Sequence, residues 1–185
     1  MNKVIAFSLL GVLCSCLSPD EITVSADADV EELDQQLKSL TIEQTGYQLK
    51  KKVRLDEEEE QLTLEFDTSL IKKDLKTLIE SSFSRMIRST NYSKEVSEKE
   101  LLYERKSKEK KGPVIVRIAK GAGGIIFFEV KFEDENYLYQ SSQSFQLSFE
   151  QGLLNSYKVE GNRKLIGLDP SSYLIEVKII KESNL

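Results

Sequence analysis

The sequence predicts an α+β domain: a mostly antiparallel β-sheet, arranged as a meander, packed by one long and one shorter amphipathic helix. Three observations predict it. Apolar residues recur at intervals of three and four around Val30 to Leu40 and again around Leu70 to Ile87, the spacing of one helical face. From about residue 98 onward, apolar residues alternate instead with polar ones, the period of a half-buried strand. The alternating runs are separated by short turns rich in Gly, Asn and Asp, and short turns join antiparallel neighbours.

The first helix is expected from residue 29 to about 44, with Val30, Leu33, Leu37 and Leu40 on one stripe. Asp27 or Asp29 can cap it, Glu31 and Glu32 suit its positive end, and Gly46 marks its stop. The stripe could seed a coiled coil but is short for one, so packing on its own sheet is the expectation. A hairpin follows. Tyr47, Leu49, Val53 and Leu55 alternate, then Leu62, Leu64 and Phe66, with Asp56-Glu57-Glu58-Glu59-Glu60 read as an acidic tip. A calcium loop needs spaced Asp or Asn ligands and a central Gly, which this run lacks, so it reads as a solvated turn. The long helix is expected over 69–88. Leu70, Ile71, Leu75, Leu78, Ile79, Phe83, Met86 and Ile87 form its stripe, and Asp67, Thr68 or Ser69 can cap it. Lys72, Lys73, Lys76 and Arg85 on the opposite face would also suit a helix lying on a membrane. The width of the stripe favours a core.

Six or seven strands are expected after it. Leu101 and Tyr103 begin one that runs into the basic turn Arg105-Lys106-Ser107-Lys108-Glu109-Lys110-Lys111. Val114, Val116 and Ile118 alternate up to Lys120-Gly121-Ala122-Gly123-Gly124. A phosphate loop also clusters glycines but ends in Lys-Ser/Thr before a helix. Here the strand Ile125 to Phe132 follows, so the glycines read as a hairpin turn. Glu133-Asp134-Glu135-Asn136 reads as a turn and Tyr137-Leu138-Tyr139 as a short strand. Phe145, Leu147 and Phe149 alternate next, and Gln151-Gly152 turns the chain into a strand over 153–159. Gly161-Asn162 reads as a further turn, and Tyr173, Ile175, Val177 and Ile179 share one face of the last strand.

Composition narrows the chemistry. The chain has no His, and its two cysteines are Cys14 and Cys16. Nothing after Cys16 can supply an imidazole or a thiol, which excludes His or Cys catalysis, zinc–sulfur sites and haem ligation there. Carboxylates, Ser-Lys pairs and tyrosines remain, without diagnostic spacing, so no catalytic residue, cofactor or metal ligand is assigned and the domain reads as a non-enzyme. Acids outnumber bases by 31 to 26, a net charge of −5, which argues against nucleic acid as a partner.

The start of the sequence carries a different message. Lys3 precedes an apolar run from Val4 to Val12, as long as a secretory h-region and short of the roughly 20 residues a spanning helix needs. With Leu13-Cys14-Ser15-Cys16 behind it, this leader resembles the signal peptide and lipobox of bacterial lipoproteins. Their box wants an aliphatic residue three before the cysteine and a small one directly before it. Leu13 and Ser15 satisfy both for Cys16, whereas Cys14 would place bulky Leu13 before the cleaved bond. An ordinary secretory signal with two incidental cysteines is the plainer alternative. The resemblance implies residues 1–15 as the removed signal peptide and lipidation at Cys16; the polar stretch that follows has no period, so 16–28 reads as a tether and 29–185 as a single α+β domain. Removing Lys3 with the leader leaves 25 bases against 31 acids, or −6. It also implies a membrane partner through the acyl chains on Cys16 and a place in the bacterial cell envelope, in the outer membrane if the host has two. Two or three acyl chains anchor durably, since each buried CH₂ is worth about 0.8 kcal/mol.

Gly46-Tyr47-Gln48-Leu49, with the order strand, long helix, then several strands, faintly resembles lipoproteins that assemble lipopolysaccharide transport machinery. Their Gly-Tyr motif adjoins the acylated cysteine and this one does not, so no function or residue is carried over. A small domain on a short lipid tether, without catalytic side chains, is expected to be a protein-binding or assembly module with an envelope protein as partner. A lipid or amphiphile carrier is the alternative, with Ile125 to Phe128, apolar on both faces, as its one local sign.

Overall fold

Alternation dominates the fold as it dominates the sequence. The structure, a computed structural model, describes residues 27–40, 46–87, 91–106 and 112–181. The expected leader, Cys16 and tether up to residue 26, the expected end of the first helix at 41–44 and residues 107–111 of the basic turn lie outside the described residues. Helix α1 spans Ala28–Ser39, and the Asp27 carboxylate caps it by accepting from the Asp29 backbone N–H at 3.3 Å. Strands β1 (Tyr47–Leu55) and β2 (Glu58–Glu65) form the first hairpin. Three short helices follow: α2 (Thr68–Asp74), α3 (Lys76–Glu80) and α4 (Phe83–Met86). Seven strands follow among the described residues: β3 (Tyr92–Val96), β4 (Glu100–Arg105), β5 (Ile115–Gly121), β6 (Gly124–Glu135), β7 (Tyr139–Glu150), β8 (Leu153–Leu165) and β9 (Ser171–Lys181).

All nine strands join one antiparallel sheet in the order β2-β1-β9-β8-β7-β6-β5-β4-β3. From β3 to β9 it is the expected meander. The first hairpin departs from it, because β1 docks on the last strand, Tyr47 opposite Lys181. Sheet and helices enclose one core, in which Val116, Ile118, Phe128, Val130, Phe145 and Leu147 meet Val30, Leu33, Leu75, Leu78 and Phe83, all essentially inaccessible to solvent. Phe83 stands edge-on to Phe128, centroids 5.4 Å apart at 75°.

The single long helix expected over 69–88 is instead broken twice. Leu75 leaves helical geometry (φ −101°, ψ 15°), and Ser81 and Ser82 are extended. Serines bond readily to nearby backbone and favour helix ends over interiors. Ser81 does so here, donating from Oγ to the Thr77 carbonyl at 2.6 Å. The apolar spacing nevertheless delivers Ile71, Leu75, Leu78 and Phe83 to the core.

The second break is sealed by Asp34, the one buried charged residue among those described. It projects from α1 and accepts from the backbone N–H groups of Phe83 (2.8 Å) and Ser84 (3.1 Å), from the Ser84 hydroxyl, and from Ser82 Oγ at 3.4 Å. A carboxylate on one helix thus caps another that has no side-chain cap of its own.

Four turn assignments change as well. Of the acidic run, Asp56 and Glu57 alone form the turn, while Glu58, Glu59 and Glu60 lie within β2, where Glu59 bonds Lys52 at 2.9 Å. Glu133 to Glu135 are the end of β6, and Tyr137 and Leu138 are a turn instead of a strand. Gly161-Asn162 lies inside β8. Its glycine answers a close approach, because a Cβ there would sit 2.3 Å from the Tyr173 ring. Strand β3, beginning at Tyr92, was not anticipated.

Where the chain enters the domain, Asp27 also accepts from Tyr103 Oη at 2.8 Å and pairs with Lys94, and Asp29 and Glu32 bond Lys120 at 2.6 and 2.7 Å. Burial opposes ionisation of Asp27, but the Lys94 and Tyr103 hydrogen bonds outweigh it and hold its carboxyl below the ordinary 3.8. A carboxyl whose pKa is depressed on folding adds stability above its unfolded pKa and loses it as pH falls through the folded value. Stability is therefore expected to drop below pH 3.8, and less steeply in Asp27→Asn, as read by urea unfolding at stepped pH.

Candidate interaction surfaces

Because side chains alternate, each strand sends every second residue away from the helices. The register then lines up a row across the sheet: Arg117, Glu129, Gln146, Lys158, Glu176, Lys52 and Gln61. Arg117 Nη1 meets Glu129 at 2.7 Å, and Gln146 donates to the other Glu129 oxygen at 2.9 Å. Arg117 Nε lies 2.6 Å from Glu100 as an ion pair, though outside hydrogen-bond alignment. Lys158 pairs with Glu160 at 2.9 Å. Exposed pairs of this kind contribute about 0–1 kcal/mol each, so they order the surface more than they hold the fold. Leu174 is buried on this face, apart from the main core, between Glu160 and Arg54 of its neighbours. The result is a broad face of alternating charge.

A second surface lies at one end of the sheet. Burial along the central strands stops at Phe132, Gly161 and Tyr173, and the chain continues into two adjacent turns. In the β6–β7 turn, Asn136 Oδ1 accepts from the backbone N–H of Leu138 (2.8 Å) and Tyr139 (3.1 Å), and Tyr139 Oη donates to Asp134. The Ile166 N–H donates to the Leu138 carbonyl at 3.0 Å, tying the β8–β9 turn to the first. Gly167, at φ +79°, lets that turn close. The pinned tips carry Tyr137, Ile166, Leu168 and Leu138, which are 82%, 73%, 63% and 52% exposed. They border a cleft of about 400 Å³. Single exposed apolar residues are ordinary, whereas a cluster marks a surface that meets something.

No family model, curated protein or solved structure matches the chain.

Both sheet edges are blunted. Strand β2 carries Glu58, Glu59, Glu60 and Glu65, and β3 is five residues long with Lys94 and Glu95 upon it. Charge and shortness are standard protections against edge-to-edge pairing. Residues 140–144 lie in β7 at the centre of the sheet, paired on both sides. Ile125 and Phe128 are buried, Phe127 half-buried and Ile126 exposed, because the register slips between Ala119 and Lys120.

Polar groups beneath the helices are used for structure. Asp74 on α2 accepts from Lys51 Nζ at 2.6 Å and Tyr157 Oη at 2.8 Å. Burial, then the Asp74 charge and hydrogen bond, push the Tyr157 hydroxyl far up, so it stays protonated and acts as a donor. Among the described residues, no three His, Cys, Asp or Glu side chains group closely enough to hold a metal ion. The apolar tips escaped the sequence reading, although Asn136 and Gly167 are turn formers and signalled where the strands end.

Proposed function

We propose that the chain is a membrane-anchored envelope lipoprotein whose domain is a non-catalytic protein-binding or assembly module. One observation supports the module reading above others: the helix-free face of the nine-stranded sheet, broad and lined with both signs of charge. Alternating charge complements another protein surface better than a polyanion, which would call for a single sign. The leader ending at Cys16 supports the anchor. The alternative, a carrier of lipids or amphiphiles, needs apolar side chains around an unfilled space. The inaccessibility of Phe83, Phe128 and Phe145 favours the packed module.

Two measurements test the proposal. Cys16→Ser is expected to leave the protein unacylated and release it from membranes, while Cys14→Ser is processed normally. An acyl group found by mass spectrometry on Cys14, or a soluble wild type, overturns the anchor. A photo-crosslinking residue in place of Gln146, at the centre of the polar face, is expected to give a discrete adduct with one envelope protein in cells. An adduct pattern no different from that at Glu98, in the β3–β4 turn, sinks the module reading.

A further inference from the structure

We propose that the two pinned tips, carrying Tyr137, Leu138, Ile166 and Leu168, rest in the lipid surface to which the chain is anchored, as a second point of membrane contact. This rests on the anchoring reading above. The shape fits a lipid surface: two neighbouring turns end side by side at one end of the sheet, and their exposed apolar side chains form the rim of the cleft that both turns line. Tyr beside Ile and Leu is also the composition that settles at a membrane interface, a polar tip on an apolar body.

The length of chain before the domain permits both contacts at once. Asp27 is bonded to Tyr103, which lies level with Val116 and Val130 across β4, β5 and β6. From Val130 to Tyr137 is seven residues, or about 23 Å at ~3.3 Å each, and two strand spacings add about 10 Å sideways. The tips are thus roughly 25 Å from the point where the chain enters. The eleven peptide steps from Cys16 to Asp27 span at most about 38 Å at ~3.5 Å each. An anchor at Cys16 therefore reaches a bilayer in which the tips already rest. Close behind the tips, Glu133, Asp134 and Glu135 stand beside Arg163 and Lys164, so no single sign of charge draws this end to headgroups; apolar burial drives the contact and added salt should not release it.

The absence of Trp from the sequence provides the test. Tyr137→Trp places a single indole at a tip, and Leu153→Trp places one at the start of β8, at the opposite end. Both positions are exposed, so neither substitution threatens the fold. The acylated full chains are reconstituted in phosphatidylcholine vesicles with brominated acyl chains. The tip indole is expected to shift to the blue and be quenched, with the Leu153→Trp indole unchanged and Ile166→Glu in the tip variant abolishing the quench. If the chain floats with the vesicles while the tip indole stays in water, the inference fails and the anchor stands. Equal quenching at both ends means nonspecific adsorption and also overturns it. Shielding of the tip in native membranes but not on vesicles identifies a protein as its cover and does the same. A chain that does not float at all removes the anchor and this inference together.

Discussion

Phe83→Ala is expected to destabilise the domain by about 3–5 kcal/mol, and Leu78→Ala by about 2–5 kcal/mol, a large share of what holds a domain of this size folded. Phe83 is fully buried against Phe128, and its neighbours Leu75 and Leu78 on the same broken helix are inaccessible too. Truncation removes the apolar area and leaves a void that a sheet on one side and α1 on the other cannot fully close. Urea unfolding measures the loss. Native mass spectrometry of the same samples separates the two functional readings. Near-neutral variants that co-purify with lipid would mean that these side chains line a binding cavity, and the carrier would then be the better account.

Asp34→Ala is expected to cost about 2–4 kcal/mol, more than a surface carboxylate can. The substitution strands the N–H groups of Phe83 and Ser84 in a buried setting and leaves the hydroxyls of Ser82 and Ser84 without their shared acceptor. Bonds to a charged acceptor contribute about 1.5–3 kcal/mol each, and buried donors left unmet cost about 1–3 kcal/mol, offset by the desolvation no longer imposed on the carboxylate. Asp34→Asn keeps one acceptor oxygen and should recover part of the loss. A change under half a kcal/mol in the Ala variant would show that water replaces the carboxylate and that the cap is dispensable. Because Phe83 supplies both a ring to the core and an N–H to Asp34, Asp34→Ala combined with Phe83→Ala should be less than additive.

Strand period, the glycine hairpin at Gly121 to Gly124 and the residues of the core were legible because each is written within one short window. Val116, Ile118, Phe145 and Leu147 alternate, and all four are buried. The helix breaks were not, since the stripe from Leu70 to Ile87 keeps its period across Ser81 and Ser82. What starts a new helix there is a carboxylate from Asp34, remote in sequence, which takes the N–H groups of Phe83 and Ser84. Gly161 was misread for the same reason: a glycine beside Asn162 looks like a turn until Tyr173, on the neighbouring strand, is seen to occupy the space. The tips were lost differently. Apolar Tyr137 and Leu138 suggested a strand, and only the continuation of β6 through Glu133 to Glu135 turns them outward. The pairing of β1 with β9 had no local signal at all.

That last pairing sets the order in which the domain can be completed. The strands β3 to β9 each lie beside the one made just before, so their ladder can zip in sequence as the polypeptide is delivered. The hairpin β1–β2 is made early but has no place in the sheet until Ser171 to Lys181, almost the end of the chain, is available. During synthesis it must wait, holding an unpaired β1 flank with Leu49 and Val53 upon it. Pairing across so long a separation closes a large loop late, which makes the final step slow. It also makes the hairpin the point at which a truncated or stalled chain would expose a sticky strand. The glutamates of β2 guard only the outer side. Until the last strand arrives, the inner side has no strand beside it.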